Sequence, residues 1–274
     1  MKKVLLFSFS LFIIFSVNIA QADVWGVRVL SQSNDIVKLD PFTGAVSTVY
    51  TAPNFQTDNT KIGLAGWSNE IFYTNANSEN GKVYKINPAT GTTIGSYAVS
   101  GGWEVNGLGY WSGGGQGFIY TSGCSVNDVH RYNALDGASP TFYWSNISGP
   151  LSMAGDNGGK IYTVGSDSTG LFGIWGMNPT TDENATWFAT SPSADIVGMA
   201  YDGIYLYLSD TANHLYTMNN AGQLINTLDL DYTLFALGST EGTGGAVPEP
   251  ATMLLLGSGL IGLAGYGRKK FFKK

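Results

Sequence analysis

The sequence predicts an all-β protein, a β-propeller of about five four-stranded blades in one domain. Three observations carry that reading. Turn signatures recur about every 41 to 47 residues along most of the chain. Strands of period two sit at fixed offsets from those turns. The composition suits many short strands joined tightly, with 37 glycines, 13% aromatic and only 12% charged residues, against roughly 25% charged in an average soluble domain.

Taken in order, the chain opens on Met1, Lys2 and Lys3, runs apolar from Val4 to about Val17, and reaches Ala20-Gln21-Ala22 before Asp23. A basic start, a short apolar core and an Ala-x-Ala site at Ala20 and Ala22 make residues 1–22 a secretory signal peptide. A permanent anchor would need a longer apolar run. From Val24 to Tyr50 come strands that lack a small-residue strand ahead of them, among them Ile36-Val37-Lys38-Leu39 before the turn Asp40-Pro41-Phe42-Thr43-Gly44.

Four repeats follow. Each begins with a small-residue segment: Ile62 to Gly66, Asn106 to Gly109, Leu151 to Gly155, and Val197 to Ala200. Aromatic strands come next, at Glu70 to Tyr73, Gly117 to Tyr120, Lys160 to Thr163 and Ile204 to Tyr207. Alternating strands such as Lys82 to Ile86, Val129 to Tyr132 and His214 to Met218 then lead into turns at Asn87 to Gly91, Asn133 to Gly137, Asn178 to Asp182 and Asn219 to Gly222. Proline presets φ and Gly or Asn accepts a positive φ, so each turn closes a hairpin. The small residues belong innermost, where strands crowd the axis. Leu234 to Gly238 reads as such a strand without successors, and pairing it with the N-terminal strands completes a fifth blade. The propeller therefore spans residues 23–239.

Residues 240–246 form a Gly-rich linker. After Val247-Pro248-Glu249-Pro250 the chain is apolar from Met253 to Tyr266 and ends in Arg268, Lys269, Lys270, Phe271, Phe272, Lys273 and Lys274. Roughly 16 apolar residues at 1.5 Å each span about 24 Å, short of a hydrocarbon core of about 30 Å, so this is a single marginal transmembrane helix. The basic tail holds its own end in the cytoplasm and leaves the body outside.

Seven of the 14 basic residues sit in the two end segments, so the body from Asp23 to Val247 keeps nineteen acids and seven bases. A surface this acidic repels phosphate backbones and excludes nucleic acid as a partner. Cys124 stands alone, which excludes an internal disulfide framework and a multi-cysteine metal site; it reads as a small buried apolar side chain.

Val247-Pro248-Glu249-Pro250, the glycine-bearing apolar segment and the basic cluster, in that order over residues 247–274, resemble the PEP-CTERM sorting signal of Gram-negative bacteria that make exopolysaccharide. The resemblance implies that a membrane enzyme, exosortase, recognises Pro248, Glu249 and Pro250, removes the helix, and releases or transfers the body to the cell surface or matrix. Each proline withholds an amide hydrogen and fixes φ, keeping the segment extended for a protease. Gly198 to Gly203 and Leu206 to His214 resemble NHL-type propeller repeats, a likeness that implies fold but not function. His214 falls where those repeats carry a largely structural histidine.

Catalytic constellations are sparse. His130 and His214 are the only histidines and belong to different repeats, too few for the His-rich zinc site of some NHL-type lyases. No Gly-x-Ser-x-Gly elbow accompanies the serines. Glu104, Asp195 and Asp231 each precede an innermost strand, which sets them near one mouth of the channel. Such carboxylates are able to bind Ca²⁺ or act as an acid and base pair, although solvated loop acids are the plainer reading, and neither a cofactor nor a metal is called for. Asp167-Ser168-Thr169-Gly170 and Asp156-Asn157-Gly158-Gly159 lack an EF-hand's ligand alternation and read as turns. Seven tryptophans, Trp67, Trp103, Trp111, Trp144, Trp175 and Trp187 among them, are expected mostly between blades, while any exposed one offers a face for stacking sugars.

The sequence thus points to an exported, transiently inner-membrane-anchored protein of the cell surface or matrix, processed by exosortase. Its propeller reads as a non-enzymatic binding or structural module tied to exopolysaccharide or biofilm, with a polysaccharide or surface protein as partner. A secreted hydrolase or lyase using the channel-mouth carboxylates is the alternative.

Overall fold

The computed structural model describes residues 23–53, 62–67, 69–75, 82–98, 105–113, 116–123, 128–138, 141–144, 147–148, 152–155, 160–179 and 184–240. The signal-peptide and sorting segments, Cys124, Trp103 and Glu104 lie outside them. Strands β1 (Asp23–Val29), β2 (Asn34–Leu39) and β3 (Val46–Thr51) come first. The next four, β4 (Ile62–Trp67), β5 (Glu70–Asn75), β6 (Lys82–Ile86) and β7 (Thr93–Ala98), make the second sheet. The third holds β8 (Val105–Gly113), β9 (Gln116–Gly123), β10 (Asp128–Asn133) and β11 (Thr141–Trp144). The fourth is β12 (Met153–Gly155), β13 (Ile161–Ser166), β14 (Phe172–Met177) and β15 (Thr186–Ala189), and the fifth β16 (Ile196–Tyr201), β17 (Tyr205–Asp210), β18 (His214–Asn219) and β19 (Leu224–Asp229). The last strand, β20 (Leu234–Thr240), joins the first sheet in the order β20-β1-β2-β3.

The ring therefore closes as expected, with Asp23 opposite Thr240 and Arg28 opposite Leu234 across a bulge. Strand β20 runs one residue past the expected limit of Ser239. Trp25 Nε1 donates to Thr240 Oγ1 at 3.3 Å beside this junction.

Small residues on the inner strands have the expected cause. A β-carbon on Gly66 would lie 2.6 Å from Ser239 O, one on Gly238 3.0 Å from Ala65 C, and one on Gly198 3.0 Å from Leu237 N. Backbone meets backbone at these points, so no side chain fits. Inner strands from all five blades line the axis, through Leu64, Leu108, Met153, Met199 and Leu237, and leave about 10 Å³ there, near the smallest space that holds one water.

Between each pair of neighbouring blades sits a separate apolar core. Trp25, Ile36, Ile62 and Ile71 fill the junction of the first and second blades, and Leu108, Ile119, Phe72 and Tyr132 that of the second and third. Met153 and Trp175 pack with Trp111, Met199 and Leu206 with Val164, and Leu215 and Tyr207 with Val24 and Leu234. Full burial of one such aliphatic or aromatic side chain contributes about 1.5–3 kcal/mol.

The repeating turns knit these interfaces. Asp40 Oδ1 accepts from the amides of Phe42 and Thr43, and Asn219 Oδ1 from those of Ala221 and Gln223, an Asx arrangement that makes the turn locally determined. Gly91 adopts φ +69°, and a β-carbon there would overlap the ring of Tyr50 on β3 of the preceding blade. Tyr50 OH donates to Pro88 O in that turn at 2.8 Å.

Inner strands run side by side in one direction, so their starts share one face and their ends the other. The loop face carries the blade-to-blade connections and the links from second to third strands. The turn face carries the hairpin turns and both ends of the propeller chain, Asp23 and Thr240.

Candidate functional site

Of the three carboxylates singled out in the sequence, Asp195 and Asp231 stand in the loops that lead into β16 and β20 and are exposed on the loop face. The Asp195 N–H donates to Ser193 Oγ at 3.2 Å, and its carbonyl accepts from the amide of Thr211. Among the described residues no group of three His, Cys, Asp or Glu is arranged to hold a metal ion.

The most developed polar cluster on that face surrounds His214. Asp210, at the end of β17, is 2% exposed. Its Oδ1 accepts from the amides of Ala212 and His214, which folds the β17–β18 link into a tight loop with Asn213 at φ +69°. Thr233 Oγ1 donates to Asn213 Oδ1 from the loop before β20. The other carboxylate oxygen, Oδ2, receives Tyr216 OH at 2.9 Å and lies 3.0 Å from His214 Nδ1. His214 Nε2 faces Asp229, at the end of β19, at 3.5 Å.

This geometry sets the titration of each group. The hydrogen bond to Asp210 raises the His214 imidazole above its ordinary value, more than burial lowers it. Burial would raise the Asp210 carboxyl, but hydrogen bonds from His214 and Tyr216 outweigh it and hold the group below the usual carboxylate range. Burial and the neighbouring carboxylate push the Tyr216 phenol up to about 12. The carboxylate thus fixes the ring and its tautomer, while Nε2 remains at the half-exposed side. Sequence reading found His214 as a repeat landmark but missed Asp210 and Tyr216 as its partners. Their signal was present, since Tyr216 stands two residues beyond His214 and so shares its strand face.

His130 belongs to the third blade, buried on β10 and stacked with Tyr132 at 6.3 Å between centroids. Trp25, Trp111 and Trp175 are buried between blades, as expected, whereas Trp187 on β15 is 42% exposed. It stands edge-on to Trp175 with centroids 5.2 Å apart and lies against Gly173. Asp167 accepts from the amides of Thr169 and Leu171, so its segment is the turn that was expected; residues 156–159 lie outside the described residues.

The profile of the PEP-CTERM protein-sorting motif matches residues 246–269. The chain carries a PEP-CTERM sorting motif. That motif marks an exported protein sorted by exosortase, and it contains Val247, Pro248, Glu249 and Pro250. Among the described residues no helix is long and apolar enough to cross a membrane; Met253 to Tyr266 lies outside them. No curated protein matches the chain. Among solved structures, BamB from Moraxella catarrhalis is 15% identical with a TM-score of 0.37, over 80% of this chain and 65% of that one. The computationally designed Ika8 protein is 9% identical with a TM-score of 0.39, over 78% and 64%. The chain thus spans a little under two thirds of either. A catalytically inactive virginiamycin B lyase from Staphylococcus aureus, solved with quinupristin, is 16% identical with a TM-score of 0.43, over 82% and 79%.

Proposed function

We propose that this protein is exported by its signal peptide, held at the inner membrane by the segment from Met253 to Tyr266, and cut by exosortase at Val247 to Pro250. Its propeller then serves at the cell surface or in the matrix as a non-enzymatic binding or structural module for exopolysaccharide or a surface protein. The match of the sorting motif to residues 246–269 carries this reading. Support for a sugar ligand comes from Trp187, whose exposed indole offers an apolar face for stacking a pyranose ring.

Intact mass and cell fractionation in hosts with and without exosortase test the sorting step. The expected result is a body ending near Val247 outside the normal host and an uncut membrane-bound chain in the other. A tail that persists in both hosts would sink the processing claim. For the ligand, a glycan array should show binding that weakens at least tenfold in Trp187→Ala; equal binding by both proteins removes Trp187 from the site.

A hydrolase or lyase is the second reading, favoured by the exposure of Asp195 and Asp231 at the starts of adjacent inner strands. Replacing Glu104, Asp195 and Asp231 together by alanine would abolish turnover in an enzyme and leave glycan binding unchanged in a binding module.

A further inference from the structure

The pairing register of the fifth sheet sets an imidazole and a carboxylate side by side. His214 opens β18 and Asp229 closes β19, and the two are direct cross-strand partners, so their side chains share one face of the sheet within contact range. The side chain of Asp229 is 90% exposed and that of His214 35%, which leaves the space between them open to solvent.

The two ring nitrogens of His214 have contacts of different length. Nδ1 lies 3.0 Å from Asp210 Oδ2, a hydrogen-bond distance, and this buried carboxylate keeps the proton on that nitrogen. Asp210 is itself held in place, since Oδ1 accepts from the amides of Ala212 and His214 and Oδ2 from Tyr216 OH. With its proton on Nδ1, the neutral ring presents the Nε2 lone pair to Asp229 Oδ1 at 3.5 Å. Lone pair and carboxylate oxygen repel unless a positive centre lies between them, either a proton or a metal ion. A proton would draw the two atoms to the length of a charge-assisted hydrogen bond, about 2.7–2.9 Å. An ion bound tetrahedrally at about 2.0–2.1 Å from each holds its ligand atoms about 3.3–3.4 Å apart, which is close to the separation observed.

We infer that His214 Nε2 and Asp229 Oδ1 form a binding site for a divalent transition ion of the zinc class, with Asp210 as the positioning residue behind the imidazole. A metal-bound histidine characteristically donates its other ring N–H to a carboxylate, which orients the ring and raises the basicity of the ligating nitrogen. The imidazole selects Zn²⁺ over Ca²⁺ and Mg²⁺, which take oxygen ligands. Two protein ligands leave the other coordination positions to water or to an oxygen of an incoming ligand, so the site is open and smaller than the groups of three that are absent among the described residues. The inference goes beyond the sorting and glycan readings and requires only the fifth blade.

The test is a calorimetric titration of the exported full chain, carrying no added histidines and held in detergent, with Zn²⁺ alone. It is run at about pH 8, because metal and proton compete for Nε2. The chain has only two histidines, and His130 is buried, so imidazole NMR follows the site directly. One equivalent of Zn²⁺ should bind and shift the His214 Nε2 resonance while leaving those of His130 in place. Asp229→Asn and His214→Gln should each weaken binding at least tenfold, and Asp210→Asn by about 10–100-fold. Because Asp229 is exposed, its variant keeps the test valid if Asp210→Asn fails to fold, and unchanged melting temperatures verify the fold of the others. A chain that binds no Zn²⁺, or binds it equally well in Asp229→Asn, overturns the site. Displacement of the ion by about a hundredfold excess of Ca²⁺ would also overturn it, since that is the behaviour of a diffuse acidic surface.

Discussion

His214 places a half-exposed imidazole against the buried carboxylate of Asp210, and the pH dependence of that pair follows from the signs of the two shifts. A raised imidazole value means that the folded state favours the protonated ring. Its contribution is complete below about pH 6.5 and fades as pH rises through the higher folded value. Asp210 has a lowered value, so its contribution is present above the ordinary carboxylate range and is lost as pH falls through the folded value. An NMR titration should therefore place His214 above the free imidazole. In Asp210→Asn it should fall, because the charged acceptor is gone, and stability should drop by about 2 kcal/mol as Tyr216 and two amides lose a charged partner. An unchanged His214 titration in that variant would mean that the pair is not formed in solution.

At the scale of the turn, two glycines of similar φ separate backbone strain from packing. Gly91 and Gly170 both have positive φ, at +69° and +84°, but only Gly91 faces a neighbouring ring, Tyr50, while a β-carbon on Gly170 would meet nothing within 4 Å. Gly170→Ala should cost the conformational strain alone, about 1–2 kcal/mol. Gly91→Ala adds overpacking of about 1–3 kcal/mol between two blades, so chemical denaturation should rank it clearly lower. Similar losses for the two would show that the Tyr50 contact gives way easily. The turn itself was legible from Asn87-Pro88-Ala89-Thr90-Gly91, because its chemistry is local. The tyrosine across the interface was not, since Tyr50 precedes Gly91 by a whole repeat.

The closed ring governs the stability of the molecule. Strand β20 supplies the innermost layer of the first blade, burying Leu234, Ala236 and Leu237 and covering Trp25. A chain ending at Val247, as processing would leave it, should keep the melting temperature and cooperativity of the propeller. One ending at Asp231 loses the closing strand and should fall by at least about 5 kcal/mol, a large part of a domain's total stability. Equal melting of the two chains would contradict closure by β20. Processing and folding are separable in this design, because the cut falls beyond the last strand.

The sequence by itself determined the blade plan, the closing strand, the turns and the sorting motif, since each is written in short-range patterns: period-two strands, small residues on inner strands, Asx turns, and Val247-Pro248-Glu249-Pro250. Only the tertiary structure decided which side chains meet between blades, how nearly the axis is filled, and that Asp210 and Tyr216 hold His214. Those outcomes depend on the twist and stacking of five sheets, which bring together residues a repeat or more apart, and the spacing of a sequence carries no such information.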